Sequence, residues 1–258
     1  IKRGDIYEIN YCQEFFNDNI LISAHNIFYH LNKLTKSPFA SFLKNDKINL
    51  MGFSPERYLC KNNSKVISQP IKGTSRRSND SVEDNYLFNN LLKSKKDISE
   101  NIMIVDLVRN DLSITAKSGS VNVDKLCGVY SFSNVHQMIS TISSELENGT
   151  HFTDVIKSSF PMGSMTGAPK KMALTLIDKF EENKRSLYSG SVGYITPDGD
   201  FDFNVVIRSL IYNYKRKYLS LSVGGAITSK SIPLKEYEEC IVKAQPIFNA
   251  FNHVLDEK

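Results

Sequence analysis

Four short runs, residues 39–44, 48–53, 57–61 and 65–69, constrain this chain's fold more than anything else in it. Only the tripeptides Asn45-Asp46-Lys47, Ser54-Pro55-Glu56 and Asn62-Asn63-Ser64 separate them. A parallel crossover needs about a dozen residues, so runs joined this tightly read as antiparallel strands with polar turns. Residues 6–13 also alternate in the manner of a strand. Residues 118–142 look mostly extended. Residues 192–196 and 200–213 read as strands across a Pro197-Asp198-Gly199 turn, and 218–223 as another. Helices are expected over 25–34, from about 83 to 112, over 152–159, from Thr166-Gly-Ala-Pro-Lys170 onward, and over 234–253. Residues 78–84 are polar and read as a mobile loop. Strands grouped at both ends around helices predict α+β rather than βαβ winding.

In the helix after Lys170, Met172, Leu176 and Phe180 recur at i, i+4 and i+8, which predicts a core-facing stripe. Pro169 suits its first turn, with Thr166 or a neighbour as cap. The chain has 258 residues, enough for one large domain or two small ones. Hydrophobic content of 41% and charged content of 23% fit a soluble globular protein. The net charge of +4 gives no nucleic-acid footprint and suits small anionic substrates. Cys12, Cys60, Cys127 and Cys240 are far apart, with no CxxC pair, so neither a zinc site nor a disulfide scaffold is indicated. Reduced thiols, no membrane-length apolar run and no signal peptide before Ile1 lead to a cytoplasmic expectation, with no membrane partner. The chain opens inside a strand without an initiator Met, as an excised domain would.

The stretch Gln69-Pro70-Ile71-Lys72-Gly73-Thr74 carries the sharpest chemical hint. Proline favours extended backbone before it, and glycine permits a tight bend or a close ligand approach. That geometry suits an ammonium presented into a cavity, and a desolvated lysine can be a nucleophile. A solvated loop lysine has the same local pattern. Asp97 and Glu100, and Glu236 and Glu239, are acid pairs at i, i+3 on helices. Two such faces meeting would make an oxygen-rich site for a hard cation such as Mg²⁺, although single pairs usually face water. Glu56 follows a Ser-Pro turn and would serve as a general acid if buried. Arg208, in a strand among apolar neighbours, needs a partner, either a substrate carboxylate or a structural acid. Gly224-Gly225 ends a strand where backbone N–H groups can hold a carboxylate. His136, seen alone, fits a satisfied core histidine equally well.

Together these pieces resemble the chorismate-utilising enzymes. The likeness runs from Gly4-Asp-Ile-Tyr-Glu-Ile-Asn10 through Ser54-Pro-Glu-Arg57, Pro70-Ile-Lys-Gly-Thr74 and Met103-Ile-Val-Asp-Leu-Val-Arg-Asn-Asp-Leu112. It continues through Gly163-Ser-Met-Thr-Gly-Ala-Pro-Lys170 and Tyr188-Ser-Gly190 to Gly224-Gly-Ala-Ile-Thr228 and Glu236-Tyr-Glu-Glu239. The resemblance implies a two-sheet αβ sandwich with helices on the outer faces, and a single catalytic domain over residues 1–258. It implies that Glu100 and Glu239 coordinate Mg²⁺, which holds a chorismate carboxylate, with Asp97 and Glu236 as supporting acids. Asp97 stands where glutamate is usual. Glu56 matches the acid that protonates the departing C4 hydroxyl. Tyr188, Arg208, Gly225 and Lys243 match groups that grip substrate carboxylates. His136 and Thr166 match residues lining the same pocket.

Within the family, Pro-Ile-Lys-Gly-Thr resembles the aminodeoxychorismate synthase component I branch, where this lysine attacks C2 of chorismate. The anthranilate synthase branch usually has alanine there. Glu8 departs from both, which usually carry glutamine, and from water-using relatives, which carry lysine. The expected function is amination of chorismate for 4-aminobenzoate and folate synthesis, with ammonia from a separate glutamine amidotransferase. Anthranilate synthesis and a non-catalytic chorismate-binding domain are the rivals.

Overall fold

The computed structural model describes residues 1–133 and 135–256, without the side chains of 250 and 252–256. In chain order the elements are β1 (Glu8–Asn17), α1 (Ala24–Thr35), β2 (Phe39–Lys44), β3 (Ile48–Ser54), β4 (Arg57–Asn62), β5 (Lys65–Gln69), β6 (Ile71–Arg76), α2 (Ser81–Lys93), α3 (Lys95–Ser113), β7 (Asn122–Ser131), β8 (Val135–Glu145), α4 (Phe152–Ser159), β9 (Gly167–Ala168), α5 (Lys170–Phe180), β10 (Gly193–Ile195), β11 (Phe201–Asn204), β12 (Ser209–Asn213), β13 (Tyr218–Thr228) and α6 (Pro233–Asp256). The tightly spaced runs are the strands β2 to β5, but they pair antiparallel only as β2-β3 and β4-β5: across Ser54-Pro55-Glu56 the chain leaves one sheet for the other, so β3 and β4 are not neighbours. The α+β class holds. Among the described residues, no helix is long and apolar enough to cross a membrane.

The chain divides into two compact units. The first takes Ile1–Glu56, Lys171–Val192 and the chain from Asn204 onward; the second takes Arg57–Lys170 and Gly193–Phe203. In the first, an antiparallel sheet runs β2-β3-β12-β13-β1. Leu219, Leu221 and Val223 alternate along β13 and point to one face, as a two-residue period requires. Against that face lie Ala24, Ile27 and Leu31 of α1 and Cys240, Ala244 and Ile247 of α6. Leu31 is fully buried, which stabilises the unit by roughly 1.5–3 kcal/mol. Phe15 meets Phe248 edge to face at 5.4 Å. On β3 and β12, Leu50 and Ile211 join Val206 in a separate cluster.

In the second unit the sheet order is β10-β11-β4-β5-β8-β6, with β7 along the other flank of β8. Ile104, Val105, Val108 and Leu112 recur at helical spacing, and α3 packs these buried side chains towards β8, whose Met138 and Ile142 are also buried.

Several expectations are corrected. Residues 78–84 are no loose loop: Asp80 caps α2 by accepting from Val82 N at 2.8 Å, and Asp84 accepts from Ser78 N at 2.9 Å. The long helix from 83 to 112 is two helices, broken at Ser94, which is extended and ends one while capping the next. In α5 the buried residues are Ala173 and Ile177, whereas Met172 and Phe180 are 41% and 57% exposed. The stripe lies one position along from the apolar residues that suggested it. Thr166 does not cap α5; its hydroxyl donates to Met162 O at 3.0 Å. Residues 200–213 are not one strand, because 205–208 leave the ladder. Gly224 and Gly225 do not end β13, which continues to Thr228.

Candidate active site

In the second unit, β5 and β6 line one edge of β8 in succession, with Pro70 at their junction. Proline has no N–H to give there, but its carbonyl accepts from Ser140 N at 3.3 Å. Ile71 lies opposite Ile139, yet Thr74 lies opposite Gln137. Three steps on β6 therefore match two on β8, and Lys72-Gly73 holds the extra residue of a β-bulge. The anticipated Gly-Thr turn is this bulge inside a continuing strand. Gly73 has φ of 95°, and a Cβ there would sit 2.9 Å from Asp97 Cβ. Glycine meets both demands. The bulge leaves Lys72 only 9% exposed, an uncommon place for a lysine.

Asp97 stands at the start of α3. Ser94 caps the helix: its Oγ accepts from Asp97 N at 3.3 Å, and its hydroxyl donates to the Asp97 carboxylate. One turn on, Glu100 is buried, 4.0 Å from Lys96 Nζ. Lys72, Asp97 and Glu100 are thus grouped where β6 meets α3. His136, on β8 opposite Ser75, is buried, with its Nε2 3.1 Å from Asp84 and its Nδ1 2.9 Å from Ser131 Oγ. Thr166 is buried in the turn after Met162.

The first unit holds the other candidates in two neighbourhoods. Glu56 is buried; its N–H donates to Ser54 Oγ at 3.2 Å and its carbonyl accepts from Val205 N at 3.1 Å. Arg208 sits outside the strands with φ of 49°, a strained region for a long side chain. Burial lowers the Arg208 pKa from its ordinary value, and the Glu56 carboxylate works in the opposite direction, which marks the two as electrostatic neighbours. The second neighbourhood surrounds Gly224-Gly225. A Cβ on Gly224 would lie 2.9 Å from the Tyr188 hydroxyl and 2.5 Å from Asn10 Oδ1. Tyr188 is buried, which pushes its phenol well above its ordinary pKa. Gly225 faces Glu236, whose Oε2 would be 3.9 Å from a Cβ there. Lys243 Nζ donates to Gly224 O at 3.0 Å and pairs with Glu239 at 2.8 Å. Glu236 is buried in the first turn of α6. Glu8 is fully buried at the start of β1, opposite Thr228.

Among the described residues, no three His, Cys, Asp or Glu side chains form a metal-holding group. The Ser94–Asp97 cap and the link from Asp84 to His136 both lay outside the sequence reading. The first had a signal, a serine three residues before an acid at a helix start. The second joins residues 52 apart and had none.

With this geometry in place, comparison with known proteins is direct. Residues 1–249 match the family described as chorismate binding enzyme. Aminodeoxychorismate synthase component 1 of Escherichia coli (strain K12) is 37% identical over 247 residues, covering 96% of this chain and 54% of the relative. Anthranilate synthase component 1 of Aquifex aeolicus (strain VF5) is 34% identical over 253 residues, covering 97% of this chain and 50% of the relative. The crystal structure of anthranilate synthase component I from Streptococcus pneumoniae TIGR4 superposes with a TM-score of 0.86 at 29% identity, covering 96% of this chain and 54% of that one. The chain thus spans about half the length of these relatives. A match across nearly the whole chain, joined to the bulged lysine strand, the acid-bearing helix starts and the glycine pair, shows that this chain belongs to the chorismate binding enzyme family.

Proposed function

We propose that this chain aminates chorismate to 4-amino-4-deoxychorismate, with Lys72 as the nucleophile. The observation that carries the reading is a lysine 9% exposed in a β-bulge whose glycine is seated on the acid-bearing helix. Lys72 Nζ bonds to C2 of chorismate, both ring double bonds shift by one position, and the C4 hydroxyl leaves as water with a proton from Glu56. Ammonia then bonds to C4, both double bonds shift back, and the C2–N bond breaks to free Lys72. The two displacements put the amine where the hydroxyl was. Arg208, Tyr188, Gly225 and Lys243 bind the carboxylates of the substrate. Thr166 and His136 shape the pocket. In this reading Glu8, a buried acid, is one of the substrate-binding residues.

Glu100 and Glu239 are proposed to hold Mg²⁺, with Asp97 and Glu236 in support. Carboxylate oxygens are the donors such a cation takes, and burial of Glu100 and Glu236 is unusual for acids without such a task. Mg²⁺, when bound, supplies positive charge that orients a substrate carboxylate. Two carboxylates with waters suffice for it, so no larger ligand group is required. The partner in this reading is a glutamine amidotransferase that supplies ammonia, in the cytoplasm, for 4-aminobenzoate and folate synthesis. The similarity to aminodeoxychorismate synthase component 1 supports the reading.

The test is intact-protein mass spectrometry after mixing with chorismate and MgCl₂, without ammonia. A species heavier by dehydrated chorismate, mapped to Lys72 and absent in Lys72→Ala, is expected. Adding ammonium should discharge it to the amino product. Anthranilate as the product, without any adduct, would favour the other branch, to which the Aquifex relative belongs.

A further inference from the structure

The segment just beyond β6, polar enough to be read as a loose loop, is instead the middle of a fixed chain of hydrogen bonds. Arg77 Nε donates to Asp84 Oδ1 at 2.9 Å and to Oδ2 at 3.1 Å. Ser78 N donates to the same Oδ1 at 2.9 Å. Arg77 also donates through Nη1 to Phe132 O at 2.7 Å. The Asp84 carboxylate then meets Nε2 of His136 at 3.1 Å, and Nδ1 meets Ser131 Oγ at 2.9 Å. Phe88 closes the ring edge to face at 5.4 Å. His136 itself is 1% exposed.

The tautomer follows from the donor inventory. The Arg77 hydrogen bonds hold the Asp84 carboxyl well below the usual carboxylate range, so it is an acceptor only. Nε2 must therefore carry the proton. In the neutral ring Nδ1 is then bare and accepts from the Ser131 hydroxyl. The same contacts tie the end of β6 to the first turn of α2, to β8 and to the end of β7. Lys72-Gly73 lies in the bulge of that same strand, between Ile71 and Thr74. We infer that Arg77, Asp84 and Ser131 form a positioning relay that locks His136 in its Nε2–H tautomer and anchors the strand carrying Lys72. Asp84 is thus a positioning residue, acting through His136 and β6. The functional half of this inference rests on the proposed Lys72 chemistry; the tautomer half does not.

Two readouts separate the halves. Long-range ¹H–¹⁵N NMR of the ring nitrogens needs no substrate, with the His136 signals assigned by their loss in His136→Asn. Wild type should show protonated Nε2 and bare Nδ1 at a pH where the ring is neutral. Asp84→Ala and Asp84→Asn should give mixed tautomers, and Asp84→Glu, which keeps a carboxylate, should restore the single form. In the second readout, Asp84→Ala should slow Lys72 adduct formation roughly 10–100-fold, the size of effect that outer partners of metal-ligating histidines have, while chorismate affinity stays within about threefold. Should Asp84→Ala not fold, Asp84→Asn decides both readouts. A protonated Nδ1 in wild type, an unmixed tautomer in Asp84→Asn, or a loss confined to chorismate affinity would overturn the inference. Absence of any adduct in wild type would instead strike the Lys72 reading, and the NMR result would still judge the relay.

Discussion

Replacing Gly73 with alanine tests how the fold presents Lys72. Two costs can be worked from the structure. The first is conformational: φ at Gly73 is 95°, and a residue with a Cβ pays roughly 1–2 kcal/mol in the left-handed half of the map. The second is steric: the new methyl would lie 2.9 Å from Asp97 Cβ and 3.1 Å from its Cγ and Oδ1. Asp97 Cβ is held by the α3 backbone, so no rotamer change removes the contact, and overpacking of this kind costs about 1–3 kcal/mol. The sum is about 2–5 kcal/mol, a melting temperature lower by roughly 4–20 °C for a chain of this size. Circular dichroism melts give the stability, and the rate of Lys72 adduct formation gives the alignment. A displacement near 1 Å should slow the adduct by about 100-fold. Adding Asp97→Gly removes the clash and leaves the φ cost. The double variant should therefore be about 1–3 kcal/mol more stable than the sum of the single effects. Additive single effects, or a Gly73→Ala protein that melts within about 1 °C of wild type, would refute the claim that Gly73 is seated on Asp97.

Other outcomes follow from the same contacts. Glu56→Gln should block the Lys72 adduct while chorismate affinity, measured by calorimetry, stays near wild type; adduct formation at the wild-type rate would remove Glu56 as the acid. Asp111→Ala removes the partner, 2.5 Å away, of the half-buried Lys170 ammonium, which keeps Ser159 O at 3.1 Å, and should cost about 1–3 kcal/mol in urea unfolding; no measurable loss would contradict that pairing. The hydrogen bond from Lys61 holds the Asp200 carboxyl below its ordinary pKa. Its stabilisation is therefore present above the unfolded value and lost as pH falls through the lower folded value. Lys61→Met should flatten the acid side of the stability profile, and an unchanged slope would deny the linkage.

Much of the architecture was readable because it is local. Strand extents are local, so β2 to β5 emerged nearly residue for residue, and two of their three tripeptide gaps join antiparallel neighbours; the third, Ser54-Pro55-Glu56, passes between sheets, which spacing alone does not reveal. Helix α4 was readable over its full length for a similar reason. The failures share one cause. In α5 every i, i+4 set has a plausible face, and only packing chose Ala173 and Ile177 over Met172 and Phe180. The break at 205–208 and the positive φ of Arg208 depend on contacts such as Val205 N to Glu56 O, nearly 150 residues apart in the chain. The polar residues 78–84 resemble a loop until Asp84 is seen to hold Arg77 and His136.

The sequence by itself determined the α+β class, the family and the residue types able to bind an anionic ring and a hard cation, because motif identity and short-range spacing are properties of the chain alone. Tertiary structure alone decided how those residues are held. Pro70-Ile-Lys-Gly-Thr74 reads as a turn until β8 imposes its register, and only then does Lys72 occupy a bulge. Gly73 is permissive in sequence and obligatory in the fold, because α3 brings Asp97 within van der Waals reach of its Cα hydrogens. His136 is a lone histidine in sequence and sits between Asp84 and Ser131 in a four-residue relay in the fold. Hydrogen bonds and close packing act through space over a few ångströms, and residues that distant along the chain acquire those distances only when the backbone closes on itself.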